Sequence, residues 1–319
     1  MSKFPVIMLI FLFSSACYAE MQEADDSNVV LTVNVINGTA NGSGVVGDVV
    51  TVEIFQHNQL LVTLEDKAAE NGKAVFNNVP TGEHSVAVAG AMHQNMKFKG
   101  RPFAISSKQV DADVKVFDVS YDKSKLSVKI HHFIIKANAD TLLISEYIQL
   151  DNSSDTAISS EQSDSQGRAI VLEMSLPMGY RNFKTTSFFE QDALVMTPDG
   201  FYDTYAVAPG RYDLNFTYTL DINSGALDII KKITVPTSSF VLFAELGQAK
   251  IEGLGHAEKA SAASGMPIEY YKFSDLSPQD DVALRITGFN VETSSFFSWM
   301  LLSVVFGAVF ILILFRLRK

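Results

Sequence analysis

The chain has 319 residues, 47% of them hydrophobic, and a formal net charge of −11. Its few basic residues are scattered, which excludes a nucleic-acid surface, because phosphate backbones are held by concentrated lysine and arginine. A single cysteine, Cys17, excludes an internal disulfide framework and a thiolate metal centre.

Residues 1–19, MSKFPVIMLIFLFSSACYA, are predicted to be a signal peptide. Lys3 supplies a positive start, Val6 to Phe13 an apolar core, and Cys17 and Ala19 the small residues of a cleavage site. Eight apolar residues are too few to cross a bilayer. Lipidation at Cys17 would want a large aliphatic residue three places earlier, where Ser14 stands. Cleavage removes the one cysteine, leaving no cysteine nucleophile.

From Val29 the chain reads as short runs rich in Val, Ile and Phe, divided by Asn, Gly and Asp every eight to twelve residues. That pattern predicts a β-sandwich. Strands are expected from Val29, over Val49–Phe55, Leu60–Leu64, Ala74–Phe76, Ser85–Ala89 and Asp113–Val119, and no segment carries a sustained helical period. A second unit starts near Lys125. SVKIHHFIIKA and LLISEYIQLDN predict two long strands joined at Asn138–Asp140, followed by an exposed polar loop over 153–167. Further strands are expected at Ala169–Ser175, Leu194–Met196, Tyr212–Leu220, Asp228–Val235, Ser239–Glu245 and Val282–Gly288, with a small-residue loop over 256–265.

The phrases VPTGEHSVAV (79–88) and VAPGRYDLNF (207–216), with a partial copy at LPMGY (176–180), share a proline, a glycine and an outgoing alternating run. Proline suits a turn and glycine a positive φ. The copies share no nucleophile, base or ligand at a fixed offset, so they read as corners.

Phe296 to Phe315, FFSWMLLSVVFGAVFILILF, has no charge and is long enough to span a bilayer as a helix. The basic tail 316–319 then belongs on the cytoplasmic side. Ser303 and Gly307 give a small-xxx-small spacing suited to a close helix partner.

The segment DKAAENGKAVFNNVPTGEHSVAVAG resembles the carboxypeptidase regulatory-like, or transthyretin-like, β-sandwich family over about 29–119. Gly72, Phe76, Asn78, Val79, Pro80, Gly82 and His84 occupy its Gly, aromatic-strand and Asn-apolar-Pro-x-Gly corner positions. NGTANGSGVVGD stands where the family has a Gly-x-Pro segment. The resemblance implies a non-enzymatic accessory, adhesive or carbohydrate-associated module and no catalytic residue.

Candidate chemistry is sparse. His131 and His132 are neighbours on a strand and point to opposite faces, which disfavours a shared metal. Met92, His93 and Met96 offer thioethers and an imidazole that would suit copper(I), or a plain sandwich loop. A metal-handling or hydrolytic protein would need His93, His131, His132 or His256 to converge. Gly-x-Ser-x-Gly, His-Glu-x-x-His and phosphate-loop motifs are absent from the sequence, and Gly42-Ser43-Gly44 reads as a turn. Phe188-Phe189 and Phe201-Tyr202 are the aromatic pairs a glycan site would use, or core residues.

The expectation is therefore an all-β protein of two β-sandwich (Ig-like or transthyretin-like) units plus one C-terminal transmembrane helix. The divisions are 1–19 signal peptide, 28–119 carboxypeptidase regulatory-like sandwich, 120–290 second sandwich, 296–315 membrane helix and 316–319 cytoplasmic tail. Its body would be extracytoplasmic, in a bacterium periplasmic on an inner-membrane anchor. The expected function is a non-catalytic accessory or scaffold protein binding a protein partner in or on the membrane. An extracytoplasmic glycan- or small-ligand-binding module is the alternative. No cofactor, catalytic residue or metal ligand is assigned.

Overall fold

The computed structural model describes residues 29–289, apart from 83, 139, 187, 223–224, 248 and 262–266. The expected signal peptide, membrane segment and tail lie outside the described residues. Within them the protein is all-β, and no described helix is long and apolar enough to cross a membrane.

The first unit comprises β1 (Val30–Asn37), β2 (Val49–Gln56), β3 (Gln59–Lys67), β4 (Lys73–Phe76), β5 (Val86–His93), β6 (Met96–Lys99), β7 (Phe103–Ala104) and β8 (Gln109–Val116). One sheet has the order β4-β1-β8, the other β3-β2-β5-β6, with β7 paired to β5. Alternation aims Leu31, Val33 and Val35, Val50, Val52 and Ile54, and Ala87, Ala89 and Ala91 into one core. β1 lies between an antiparallel partner, β4, and a parallel one, β8. The β5–β6 connection is a tight hairpin whose two turn residues, Gln94 and Asn95, both have positive φ, as a type I′ turn requires.

A short β9 (Val119–Ser120) and a single 3-10 turn, Lys123–Lys125, lead onward. Asp122 caps that turn by accepting from the Ser124 amide.

The second unit comprises β10 (Leu126–Ala137), β11 (Thr141–Asn152), β12 (Ala157–Ile158), β13 (Leu172–Ser175), β14 (Arg181–Thr185), β15 (Leu194–Thr197), β16 (Gly200–Asp203), β17 (Gly210–Asp221), β18 (Ala226–Lys232), β19 (Thr237–Glu245), β20 (Lys250–Glu252), β21 (Glu258–Ser261), β22 (Pro267–Leu276) and β23 (Asp281–Thr287). Its main sheet runs β14-β17-β11-β10-β19-β22-β21. Two three-stranded sheets, β18-β23-β20 and β13-β16-β15, contribute to the same core through Ile229, Leu284, Ile286, Met174 and Phe201. A bulge between Val128 and Ile130 shifts the phase of β10, so Leu126 and Val128 face inward before it and His131, Phe133 and Ile135 after it.

The units are docked. β9 pairs with β12 in parallel, and Ala157, though it follows β11, is buried in the first unit's core. Thr39 Oγ1 donates to the Asp155 carbonyl at 2.9 Å, and Lys99 meets Glu190 at 3.0 Å.

The predicted exposed loop 153–167 is therefore only partly that. Ala157, Ile158 and Ser159 are fully buried, because they fill the seam between the units. The expected loop over 256–265 contains β21, an edge strand whose small residues disguise its pairing with β22. The corners also differ from one another. Gly179 and Gly210 take positive φ as expected; Gly82 does not, and a Cβ there would meet only the flexible amide end of the Gln56 side chain.

Candidate functional site

Two buried polar clusters and one cleft hold the chemically capable side chains. The first cluster is built at the rim of the first unit. His93 ends β5, and its ring is buried, 2% exposed. Its Nδ1 lies 2.7 Å from Asp48 Oδ2, and its Nε2 lies 3.1 Å from Ser43 Oγ. Those are the distances of a nucleophile, base and orienting carboxylate.

A second carboxylate changes what the arrangement can do. Asp118 Oδ1 lies 3.1 Å from the same Nε2 and accepts the Ser43 hydroxyl at 2.7 Å. Asp118 also accepts from Asn37 Nδ2 at 2.7 Å and from the Ser43 amide at 2.9 Å. Burial opposes its charge, but these hydrogen bonds from His93, Ser43 and Asn37 outweigh burial and hold its carboxyl well below the usual range. The Ser43 amide, which could otherwise steady an oxyanion, is committed to an anion already in place. The cluster acts as a tie: it fastens the 38–48 loop and the β5–β6 hairpin to the strand end that leads into the second unit.

The second cluster lies inside the second unit. Glu146 sits on the inward face of β11 between Ile144 and Ile148 and is 2% exposed. His131 Nε2 is 2.7 Å from Glu146 Oε2, and the Tyr218 hydroxyl donates to Oε1 at 2.8 Å. From the other layer, β18 alternates Ile229 and Lys231 inward, and Lys231 Nζ reaches Glu146 Oε2 at 2.7 Å while also donating to the Ser175 carbonyl. The ammonium lies about 6 Å from the Phe133 and Phe216 ring centres, at 5.9 and 6.0 Å.

Burial disfavours the Glu146 charge, yet Lys231 and then His131 outweigh it and keep the carboxyl below its ordinary range. Burial lowers His131, more than Glu146 raises it, so the imidazole is neutral near pH 7. Burial and the adjacent carboxylate push Tyr218 well up. The cavity beside His131 and Lys231 is about 10 Å³, room for roughly one water. A substrate pocket is typically some 300–1,000 Å³, so this cluster has no space for one. Its work is to join the main sheet to β18 through a fully paired buried charge.

The predicted site residues do not converge. His131 and His132 point to opposite faces as expected: His132 is half-buried, 5.6 Å from the Tyr147 ring and 5.3 Å from Phe243. His256 is exposed. Met92 is exposed on the face opposite His93, whereas Met96 accepts a weak contact from Ser159 Oγ at 3.8 Å, so the thioethers and imidazole do not form one ligand set. Among the described residues, no group of three or more His, Cys, Asp or Glu has an arrangement that could hold a metal ion. Phe201 and Tyr202 are buried, and Phe189 packs on Phe201 at 5.2 Å, which makes both core residues. Phe188 alone of the aromatic candidates lines the cleft between the units.

Sequence reasoning missed Asn37, Ser43, Asp48 and Asp118 as a set, since they join His93 only through folding. Glu146 did carry a signal: it is an acid in the middle of LLISEYIQL, at a position whose neighbours two places either way are isoleucines.

No known family's sequence pattern matches the chain, and no curated protein matches it. Among solved structures, an M1 zinc metallopeptidase from Deinococcus radiodurans aligns with 10% identity and a TM-score of 0.32, over 51% of this chain and 42% of that one. A point mutant of the same enzyme bound to a Tyr-Ser-Ala substrate gives a TM-score of 0.33 over the same shares. The chain thus spans under half the length of these proteins, and likeness at this level carries no argument about fold or chemistry.

Proposed function

We propose that the chain is a non-catalytic scaffold whose two β-sandwich units bind a protein partner in or on a membrane. In this reading the first unit, 28–119, is a carboxypeptidase regulatory-like sandwich. The 296–315 segment is the anchoring helix, and the body is extracytoplasmic behind a removed signal peptide, 1–19. The observation that supports it is the closure of both polar clusters. The Ser43–His93–Asp48 array is blocked by Asp118, and Glu146 is satisfied by His131, Tyr218 and Lys231 with no space for a substrate. Groups poised for catalysis are instead spent on rigidity, which is what a display scaffold needs.

The test is a mild-detergent pull-down of the full chain alongside a version whose residues 296–315 are replaced by an unrelated membrane helix. A stoichiometric membrane partner recovered by both versions places the contact on the sandwiches. Recovery only with the native helix places it in the membrane. No stoichiometric partner with either refutes the scaffold reading.

A further inference from the structure

Once both clusters are accounted for, the cleft between the units still holds uncommitted chemistry. Its volume is about 500 Å³, within the range of small-molecule sites. One wall belongs to the first unit. Lys97 and Lys99 flank the buried Phe98 on β6, so both leave the strand on the same side. Lys115 leaves β8 between the buried Val114 and Val116 and joins them at the cleft. Three ammonium groups thus gather at one opening in a chain of net charge −11.

These cations are unequally occupied. Lys99 is paired with Glu190 at 3.0 Å. Lys97 has Glu53 only at 4.0 Å. Lys115 has no described carboxylate within ion-pair distance and lies over the Phe117 ring, 5.1 Å from its centre.

The facing wall carries two carboxylates, Glu190, which is paired with Lys99, and the buried Asp203, and is otherwise mainly aromatic and apolar. Phe188 and Tyr212 rings lie 5.0 Å apart, and Tyr205 stands beside them. The Tyr205 hydroxyl is tied to Asp192 at 2.8 Å and that of Tyr212 to the Ala208 carbonyl at 3.1 Å, so neither ring is free to turn away. Phe188 has φ of +69°, a left-handed conformation that costs a bulky residue on the order of 1–3 kcal/mol.

We propose that the inter-unit cleft binds a small ring-bearing carboxylate, a uronic sugar or an arene carboxylate, with its ring against Phe188 and Tyr212 and its charge on Lys115 and Lys97. Aromatic faces recognise the apolar face of a ring, and paired ammonium groups supply the charge selection that a neutral ring would not use. The site stands apart from the scaffold reading, because it needs neither a protein partner nor the 296–315 segment.

The test is calorimetric titration of the purified full chain with glucuronate, benzoate, glucose and inorganic phosphate. Glucuronate or benzoate is expected to bind at least about tenfold more tightly than glucose and phosphate, and the better of the two assigns the ring. Lys115→Gln, a change at an exposed side chain, should weaken that binding about tenfold without moving the unfolding midpoint, and Phe188→Ala should weaken it similarly. Phosphate binding as tightly as either carboxylate would reduce the cleft to a bare charge patch and overturn the proposal. So would glucose binding as tightly, insensitivity to Lys115→Gln, or no heat from any probe at about 10 mM, where even millimolar affinity would register.

Discussion

His93 and His131 are both buried histidines hydrogen-bonded to carboxylates, yet the clusters around them do different work. The His93 cluster is a rim device: Asp48 and Asp118 keep partial access to water, and the residues it joins come from loops, a hairpin and a strand end. The Glu146 cluster is a core device, with carboxylate and ammonium both removed from solvent and lying on facing layers. The same kinds of group are therefore stabilising in one place and a liability in the other. At the rim each hydrogen bond adds a modest amount over hydration, whereas in the core the whole set must be complete or its remnant is an isolated buried charge.

The largest expected effect tests the core side of that contrast. Glu146→Ala strands Lys231 and should cost about 3–5 kcal/mol in urea denaturation. Glu146→Leu combined with Lys231→Met should recover stability to within about 1 kcal/mol of the native chain, because a buried pair and a packed apolar pair are nearly equivalent. A single-variant loss below about 1 kcal/mol would erase the distinction between core and rim.

A pair of opposed pH dependences comes next. Burial, acting against amide hydrogen bonds from Tyr205 and Thr204 and aided by Glu190 and Asp192, pushes the carboxyl of Asp203, itself 4% exposed, up to about 6. A raised carboxyl binds more protons folded than unfolded, so its contribution is present at low pH and lost as pH rises through about 6. Asp203→Asn should accordingly gain on the order of 2 kcal/mol at pH 8 and little at pH 4. His131 has the reverse sign: its lowered affinity for protons means the unfolded chain takes up the proton first, and stability falls as pH drops below about 6.5. Glu146, also lowered, adds to the loss near and below the ordinary carboxylate range. Equilibrium unfolding of His131→Gln from pH 7 to 5 should show a flatter slope than the native chain, and an unchanged slope would mean that His131 is not buried neutral.

At the rim the effects shrink. Asp118→Ala removes the acceptor shared by Asn37, Ser43 and His93 and should cost about 1–2 kcal/mol, with faster amide exchange across residues 38–48 as its local signature. Ser43→Ala should cost about 0.5 kcal/mol. A fluorophosphonate probe should leave Ser43 unmodified; labelling that disappears in Ser43→Ala would show that Asp118 does not block the array.

Strand existence was legible wherever alternation was clean. Runs such as VVLTVNVIN and LLISEYIQLDN carry one apolar face, and their strands fall close to where that pattern puts them. What failed lacked so clean an alternation. Ala157 and Ile158 are two apolar residues in a polar stretch, buried by the neighbouring unit and not by their own sheet. β14, RNFKT, is an edge strand with few inward side chains, so its sequence looks like a loop. The site residues follow the same logic. His131 and His132 were separable from strand geometry alone, although which of them faces the core depends on the bulge before Ile130, a feature no local pattern announces. The His93 cluster draws on Asn37, Ser43 and Asp48, within or beside the segment that departs from the regulatory-like pattern, and on Asp118 beyond the last strand of the unit. Its members are brought together only by tertiary closure.

The parallel pairings set the order in which such a chain can become native. Val30 lies opposite Gln109 and His131 opposite Phe240, so β1 and β10 each wait for a strand made much later before their sheets are whole. Hairpins such as β2–β3 and β10–β11 can form on microsecond timescales, but closing these long loops is the slow, entropically costly step. Until then β1 and β10 each keep one edge unpaired, the part of the molecule most exposed to mispairing with another chain. A truncation that removes β8 or β19 should therefore yield aggregation in place of a smaller folded unit, and a holding chaperone would be expected to act on the interval between synthesis of β1 and arrival of β8.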